Sequence, residues 1–203
     1  LRSGQCRVAV VTFGEPLASG KPVAASGWTT TADDIEFEAP MGIVGTVIPY
    51  ALLAARHMAQ YGTKAEGLGA IACSARRHAM RNPNAFKREP MEMQDYLASR
   101  TIATPLRLLD CSIMVDGAGA LVLTSAERAR DLPLNGRPVV LAGAAMQASH
   151  RNIGQFQEVD DLRIAEVTAR ALGQAGVALG DIDVAMVHDA YTIVTLLYLE
   201  EMG

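Results

Sequence analysis

Three side chains capable of proton chemistry stand together in HDAY (188–191): His188, Asp189 and Tyr191. They follow DIDVAMV (181–187), a predicted strand, and open a predicted helix through YTIVTLLYLEEMG. The carboxyl end of a strand is where open α/β sheets place ligands, and a helix N-terminus favours negative charge. An imidazole at that junction can donate to an oxygen that gains charge, or it can simply cap the helix. Asp189 suits a cap as well. A phenol such as Tyr191, with an ordinary pKa of about 10, works as a base near neutral pH only beside a cation or an oxyanion donor. Otherwise it packs, with its hydroxyl bonded to backbone.

A second set is basic. SARRHAMRNPNAFKRE (74–89) carries Arg76, Arg77, Arg81, Lys87 and Arg88 in a chain of net charge −4. Guanidinium forks fit phosphate oxygens, so Arg76, Arg77 and Arg81 are candidates for holding a phosphorylated ligand. A solvated helix face is the plainer alternative. DGAGA (116–120) lacks the spacing of a phosphate loop, and its glycines are expected to let a strand pass close to a helix. Cys6, Cys73 and Cys111 form no CxxC pair, and Cys73 with His78 is too few ligands for zinc, so no metal is expected. Cys111, beside Asp110, reads as a small packed hydrophobe.

The elements that must position these groups are legible in part. RVAVVTF (7–13) reads as a buried strand, and the stretch from Gly14 to Pro40 loses periodicity. Pro49 suits the first turn of a helix closed by Gly62. Thr63 and Glu66 have capping-box spacing for a helix over 66–80, which Gly67 and Gly69 should weaken. RNPNAFKREP (81–90) is a break before a short helix in MEMQDYLASR (91–100). Beyond it come a strand in ALVLT (120–124), a Thr124/Glu127 capping box for AERARDL, and a strand in RPVVLAGAA (137–145). A helix starting at Asp160 or Asp161 and ending at Gly176 completes the pattern. Strand and helix alternate from about residue 118, as in layered α/β folds.

The bulk numbers narrow the partners. Residues are 50% hydrophobic and 20% charged, a globular balance. The negative net charge favours neither nucleic acid nor an anionic membrane, and no apolar run is long enough for a membrane span. The scattered cysteines fit a reducing cytoplasm. LRSG and YLEEMG read as helix ends, so the chain is expected to be cut from something longer.

Five blocks in order resemble the thiolase superfamily: EAPMG (38–42), YGTKAEGLGAIACSARRHAMRNPNA (61–85), DYLASRTIATPLRLLDCS (95–112), DGAGALVLTSAE (116–127) and DIDVAMVHDAYTIVTLLYLEEMG (181–203). They most resemble the branch of sterol-carrier-protein thiolases and the thiolase-like lipid-transfer proteins of steroid side-chain breakdown. The resemblance implies an α/β fold of thiolase-like αβαβα layers, here incomplete, with an inserted, mostly helical lid. Residues 1–26 would end the N-terminal half, 27–108 form the lid, 109–136 complete that half, and 137–203 begin the C-terminal half. It implies a homodimer and a coenzyme A thioester as substrate, with no permanently bound cofactor.

It also implies that the family's nucleophilic cysteine precedes Leu1 and its Gly-His-Pro histidine follows Gly203, so this chain alone would not perform thiolysis. HDAY is similar to the branch's His-Asp-Cys-Phe motif, in which His188 would polarise the thioester oxygen. Tyr191 stands where Phe is usual. In the family's aldolases tyrosines are thought to move the protons, often beside an OB-fold and zinc-ribbon partner protein. The resemblance thus leaves a thiolase, a retro-aldolase or a non-catalytic acyl-CoA scaffold, and CoA phosphates become the ligand of the basic strip.

Overall fold

The structure, a computed structural model, describes residues 4–20, 34–43, 45–133, 136, 138–148, 158 and 161–203. Residues 21–33 of the expected excursion after Gly14, and Asp160 as a helix start, lie outside them. Two compact units result: Leu1–Pro22 with Met114–Ala144, and Val23–Ile113 with Ala145–Gly203. The expected lid segment and the segment leading to HDAY both fall in the second unit.

The first unit is a ribbon. β1 (Val8–Pro16) pairs antiparallel with β4 (Asp116–Thr124), with Val8 opposite Thr124 and Pro16 opposite Asp116. β-branched and apolar residues favour the strands, which run longer than the sequence pattern indicated. The Asp116 carboxylate accepts the backbone N–H groups of Ala18 and Ser19 at 2.9 Å, fixing the turn after β1. Those bonds hold its carboxyl below the usual carboxylate range. Among the described residues the expected close approach at Gly117 and Gly119 does not occur, since none lies within 4 Å of a Cβ built at either.

α4 (Ala126–Arg130) follows, capped by Ser125, whose hydroxyl accepts from the Arg128 N–H at 3.2 Å. Thr124 is not the cap: its hydroxyl donates to the Arg7 carbonyl.

The second unit holds the core. α1 (Val47–Tyr61) starts one turn around Pro49 and stops at Gly62, which adopts the left-handed φ of 70° and donates its N–H to the Met58 carbonyl. α2 (Ala65–Arg81) and α3 (Met93–Ala98) follow, then β2 (Thr101–Ala103) paired with β3 (Leu106–Arg107), then α5 (Ile164–Ala175) and α6 (Thr192–Met202). Leu53 and Ala54 from α1, Leu68 and Ala72 from α2, Tyr96, Leu106, and Ile193, Val194 and Leu197 from α6 form one buried cluster.

Gly69 lets α2 meet α3, because a Cβ there would lie 2.6 Å from Tyr96 Cδ1 and 2.7 Å from Met93 Sδ. Thr63 does not cap α2; its hydroxyl is taken by His57. Asp161 does not start α5 either. Arg163, at a left-handed φ of 62°, precedes the helix, and the Glu201 carboxylate of α6 accepts the N–H groups of Leu162 and Ile164.

Two expected strands are missing among the described residues. Neither 138–145 nor 182–187 is hydrogen-bonded into a sheet. Their sequences carry the strand pattern, but a strand exists only with a neighbour to pair with. No helix among the described residues is long and apolar enough to cross a membrane.

Candidate active site

Tyr191 sits at the N-cap of α6, in extended backbone, and is buried. It is placed there by an isolated antiparallel bridge between Cys111 and Tyr191 and by the Ser112 N–H donating to the Ala190 carbonyl at 3.0 Å. The ring stacks on Tyr50 of α1, centroids 4.6 Å apart, and its hydroxyl lies 2.8 Å from Thr46 Oγ1. Burial pushes the Tyr191 phenol above its ordinary pKa; the Thr46 hydrogen bond pulls the other way without reversing it. Tyr50 is raised too, by burial first and then by the neighbouring phenols of Tyr198 and Tyr191. At neutral pH Tyr191 is thus a protonated phenol whose hydroxyl is bonded to a side chain, not to backbone.

Beside Cys111 in the chain, Asp110 is almost fully buried, 2% exposed. Its Oδ1 accepts from the Tyr96 hydroxyl at 2.9 Å and the Thr192 hydroxyl at 2.5 Å; its Oδ2 accepts from the Arg107 N–H at 2.7 Å. A buried carboxylate is tolerable only with its lone pairs occupied in this way. Burial and this carboxylate together push the Tyr96 phenol far above its ordinary value. They raise the Cys111 thiol as well, which fits a packed thiol, not a nucleophile.

A cleft of about 700 Å³ opens within this unit. Asp189 and Thr192 line it at the start of α6, Cys111 and Ser112 line one side, and Arg76 and Lys87 stand on the α2 side. The sequence candidates are therefore divided. Asp189 is exposed and faces the cleft; His188 is exposed and is not among the cleft-lining residues. Arg76 lines the cleft and donates to the Glu89 carbonyl at 2.8 Å. Arg77 and Arg81, one helical turn apart, lie on an exposed face outside it.

Sequence reasoning missed Thr46, Tyr50, Tyr96, the role of Asp110 and His57. His57 is buried between two elements, with Nε2 2.9 Å from the Glu200 carboxylate and Nδ1 2.8 Å from the Thr63 hydroxyl. Because a carboxylate only accepts, Nε2 carries the proton, and in the neutral ring Nδ1 takes the Thr63 hydrogen. An acidic residue inside the apolar run PLRLLDCS was a readable signal for Asp110. His57 offered none beyond its place on an amphipathic helix.

Residues 145–203 match the family model described as thiolase C-terminal domain-like. The chain is 38% identical over 180 residues to a 17-hydroxy-3-oxo-4-pregnene-20-carboxyl-CoA lyase of Mycobacterium tuberculosis, covering 86% of this chain and 46% of that one. It is 36% identical over 156 residues to the benzoylsuccinyl-CoA thiolase subunit BbsB of Thauera aromatica, covering 76% of this chain and 40% of the relative. The solved Ltp2-ChsH2(DUF35) aldolase superposes with a TM-score of 0.88 at 31% identity, across 100% of this chain and 53% of that one. The chain belongs to the thiolase superfamily and has its α/β fold. It is similar there to carbon–carbon lyases and to thiolases alike, and it spans about half the length of the curated relatives it matches.

Proposed function

We propose that this chain serves an acyl-CoA enzyme that makes or breaks a carbon–carbon bond beside the thioester, and that the reaction is retro-aldol cleavage. The observation that carries the reading is Tyr191: a buried, protonated phenol at the head of α6, next to cleft-lining Asp189 and Thr192. In a retro-aldol step the β-hydroxyl loses its proton and the Cα–Cβ bond breaks. A carbonyl compound leaves, and the thioester enolate takes a proton at Cα. In this reading the protonated Tyr191 phenol, which does not itself line the cleft, is the donor for that last transfer. Asp189, which lines the cleft, accepts the hydroxyl proton, and no step is assigned to His188, which does not line it.

Arg76, lining the cleft, is the residue of the basic strip assigned to the CoA phosphates. A zinc-ribbon or OB-fold partner protein belongs to this reading, supported by the two-component name of the similar aldolase structure. Pairing of two copies belongs to it too.

The test uses the full-length protein with any partner it copurifies with, given a β-hydroxyacyl-CoA. Cleavage without added free CoA is expected. Tyr191→Phe should lower kcat by about 10²- to 10⁴-fold, the usual worth of a positioned proton donor. Arg76→Ala should weaken acyl-CoA binding while Arg77→Ala leaves it unchanged. The likeness to the BbsB thiolase subunit favours a second reading, thiolysis. Product formation that requires free CoA and ignores Tyr191→Phe would establish it in place of the first, and no cleavage of either kind would leave a binding scaffold.

A further inference from the structure

We propose that Asp110 is the positioning residue of this site, setting the start of α6 and with it Asp189 and Tyr191. The inference rests on the retro-aldol reading for its kinetic consequence, though its structural part stands without it. The Asp110 carboxylate gathers donors from three separate elements: the Tyr96 hydroxyl of α3, the Arg107 N–H of β3 and the Thr192 hydroxyl in the first turn of α6. Immediately after it, Cys111 bridges Tyr191 and Ser112 bonds the Ala190 carbonyl. Residues 110–112 thus grip residues 190–192 through one side-chain bond and one β-bridge, of which the Ser112–Ala190 backbone bond is part.

Asp110 itself touches neither Tyr191's hydroxyl nor Tyr50; it acts through Thr192. Hydrophobic packing alone does not fix a helix start, because apolar contact is non-directional, whereas two carboxylate oxygens with fixed partners define a position. Gly69 contributes indirectly, since the α2–α3 approach it permits sets where the Tyr96 ring lies.

The experiment compares Asp110→Asn, Thr192→Val and Thr192→Ser with the wild type, in full-length protein. Asn keeps the shape but turns one acceptor into a donor facing donors. Val cuts only the link to α6, and Ser restores it, so a folded variant is available even where Asp110→Asn is unstable. Leu53→Ala serves as a control that loses stability elsewhere in the core.

Amide exchange over 188–194 should rise by about tenfold or more in Asp110→Asn and Thr192→Val, and return in Thr192→Ser, with α1 and α5 changed less. In an active preparation kcat should fall about tenfold or more with acyl-CoA affinity held, while Leu53→Ala leaves kcat per folded molecule intact. Unchanged exchange over 188–194, or a uniform rise matching Leu53→Ala, would overturn the proposal. If the wild type cleaves no acyl-CoA, the retro-aldol reading fails, and the exchange pattern alone still decides the positioning role.

Discussion

The ribbon and the helical unit are built from equally apolar sequence and come to opposite ends. On β1 and β4, Phe13 is 66% and Val122 71% exposed. In the helical unit Leu106 is 0% and Leu197 2% exposed. Two strands bond each other's backbones, and among the described residues their own unit supplies no second layer to cover their faces. In the helical unit α1, α2 and α6 cover one another. Hydrophobic patterning therefore states that a segment seeks burial without stating against what.

The same substitution in both units gives the largest contrast. Leu197→Ala in α6 should cost about 2–5 kcal/mol, the usual range for a buried leucine, whereas Leu121→Ala on the ribbon should change stability by under about 0.5 kcal/mol. Chemical denaturation of the two variants of this chain measures both. A cost for Leu121→Ala near that of Leu197→Ala would break the comparison, for it would mean that the ribbon's face is covered in solution.

Within the helical unit the contrast can be sharpened to two glycines on one helix. Gly69→Ala should destabilise by about 1–3 kcal/mol, since its methyl would meet the Tyr96 ring and the Met93 sulfur. Gly67→Ala has only the Thr63 methyl at 3.7 Å to meet, and should stabilise by about 0.5–1 kcal/mol through helix propensity. Thermal unfolding of the two variants reads the sign directly. Equal gains at both positions would show that propensity, not packing, governs α2.

That pair also shows what the sequence could and could not disclose. Helical periodicity and Gly62 located α1 and α2, and the family blocks disclosed the superfamily. Yet propensity counted Gly67 and Gly69 alike, because the difference lies in a ring 27 residues further along the chain. The capping boxes failed for a related reason: Thr63 and Thr124 have the right spacing but spend their hydroxyls on His57 and Arg7. Spacing is local, and the competing acceptor was not. HDAY was legible as a helix start, so His188, Asp189 and Tyr191 could be singled out. Thr46 and Tyr50, which hold the Tyr191 phenol from 141 and more positions upstream, could not. The strands at 138–145 and 182–187 were read from composition, which carries no information about a pairing partner.

The last contrast lies in titration and vanishes at neutral pH. All five tyrosines, from Tyr50 to Tyr198, belong to the helical unit and none to the ribbon. Tyr50, Tyr96 and Tyr191 are held above their ordinary pKa, burial being the first cause in each. Above pH of about 10 the unfolded chain releases these protons while the folded unit retains them. Folding then binds more protons than unfolding, so stability, fully present below that pH, falls as pH rises toward the folded values. Cys111, raised as well, opens the window earlier, near its ordinary value of about 8.5.

Melting temperature followed from pH 8 to 11 should therefore drop, with a slope that lessens in Tyr191→Phe. A flat profile across that range would mean that the buried phenols do not govern the alkaline limit of the helical unit.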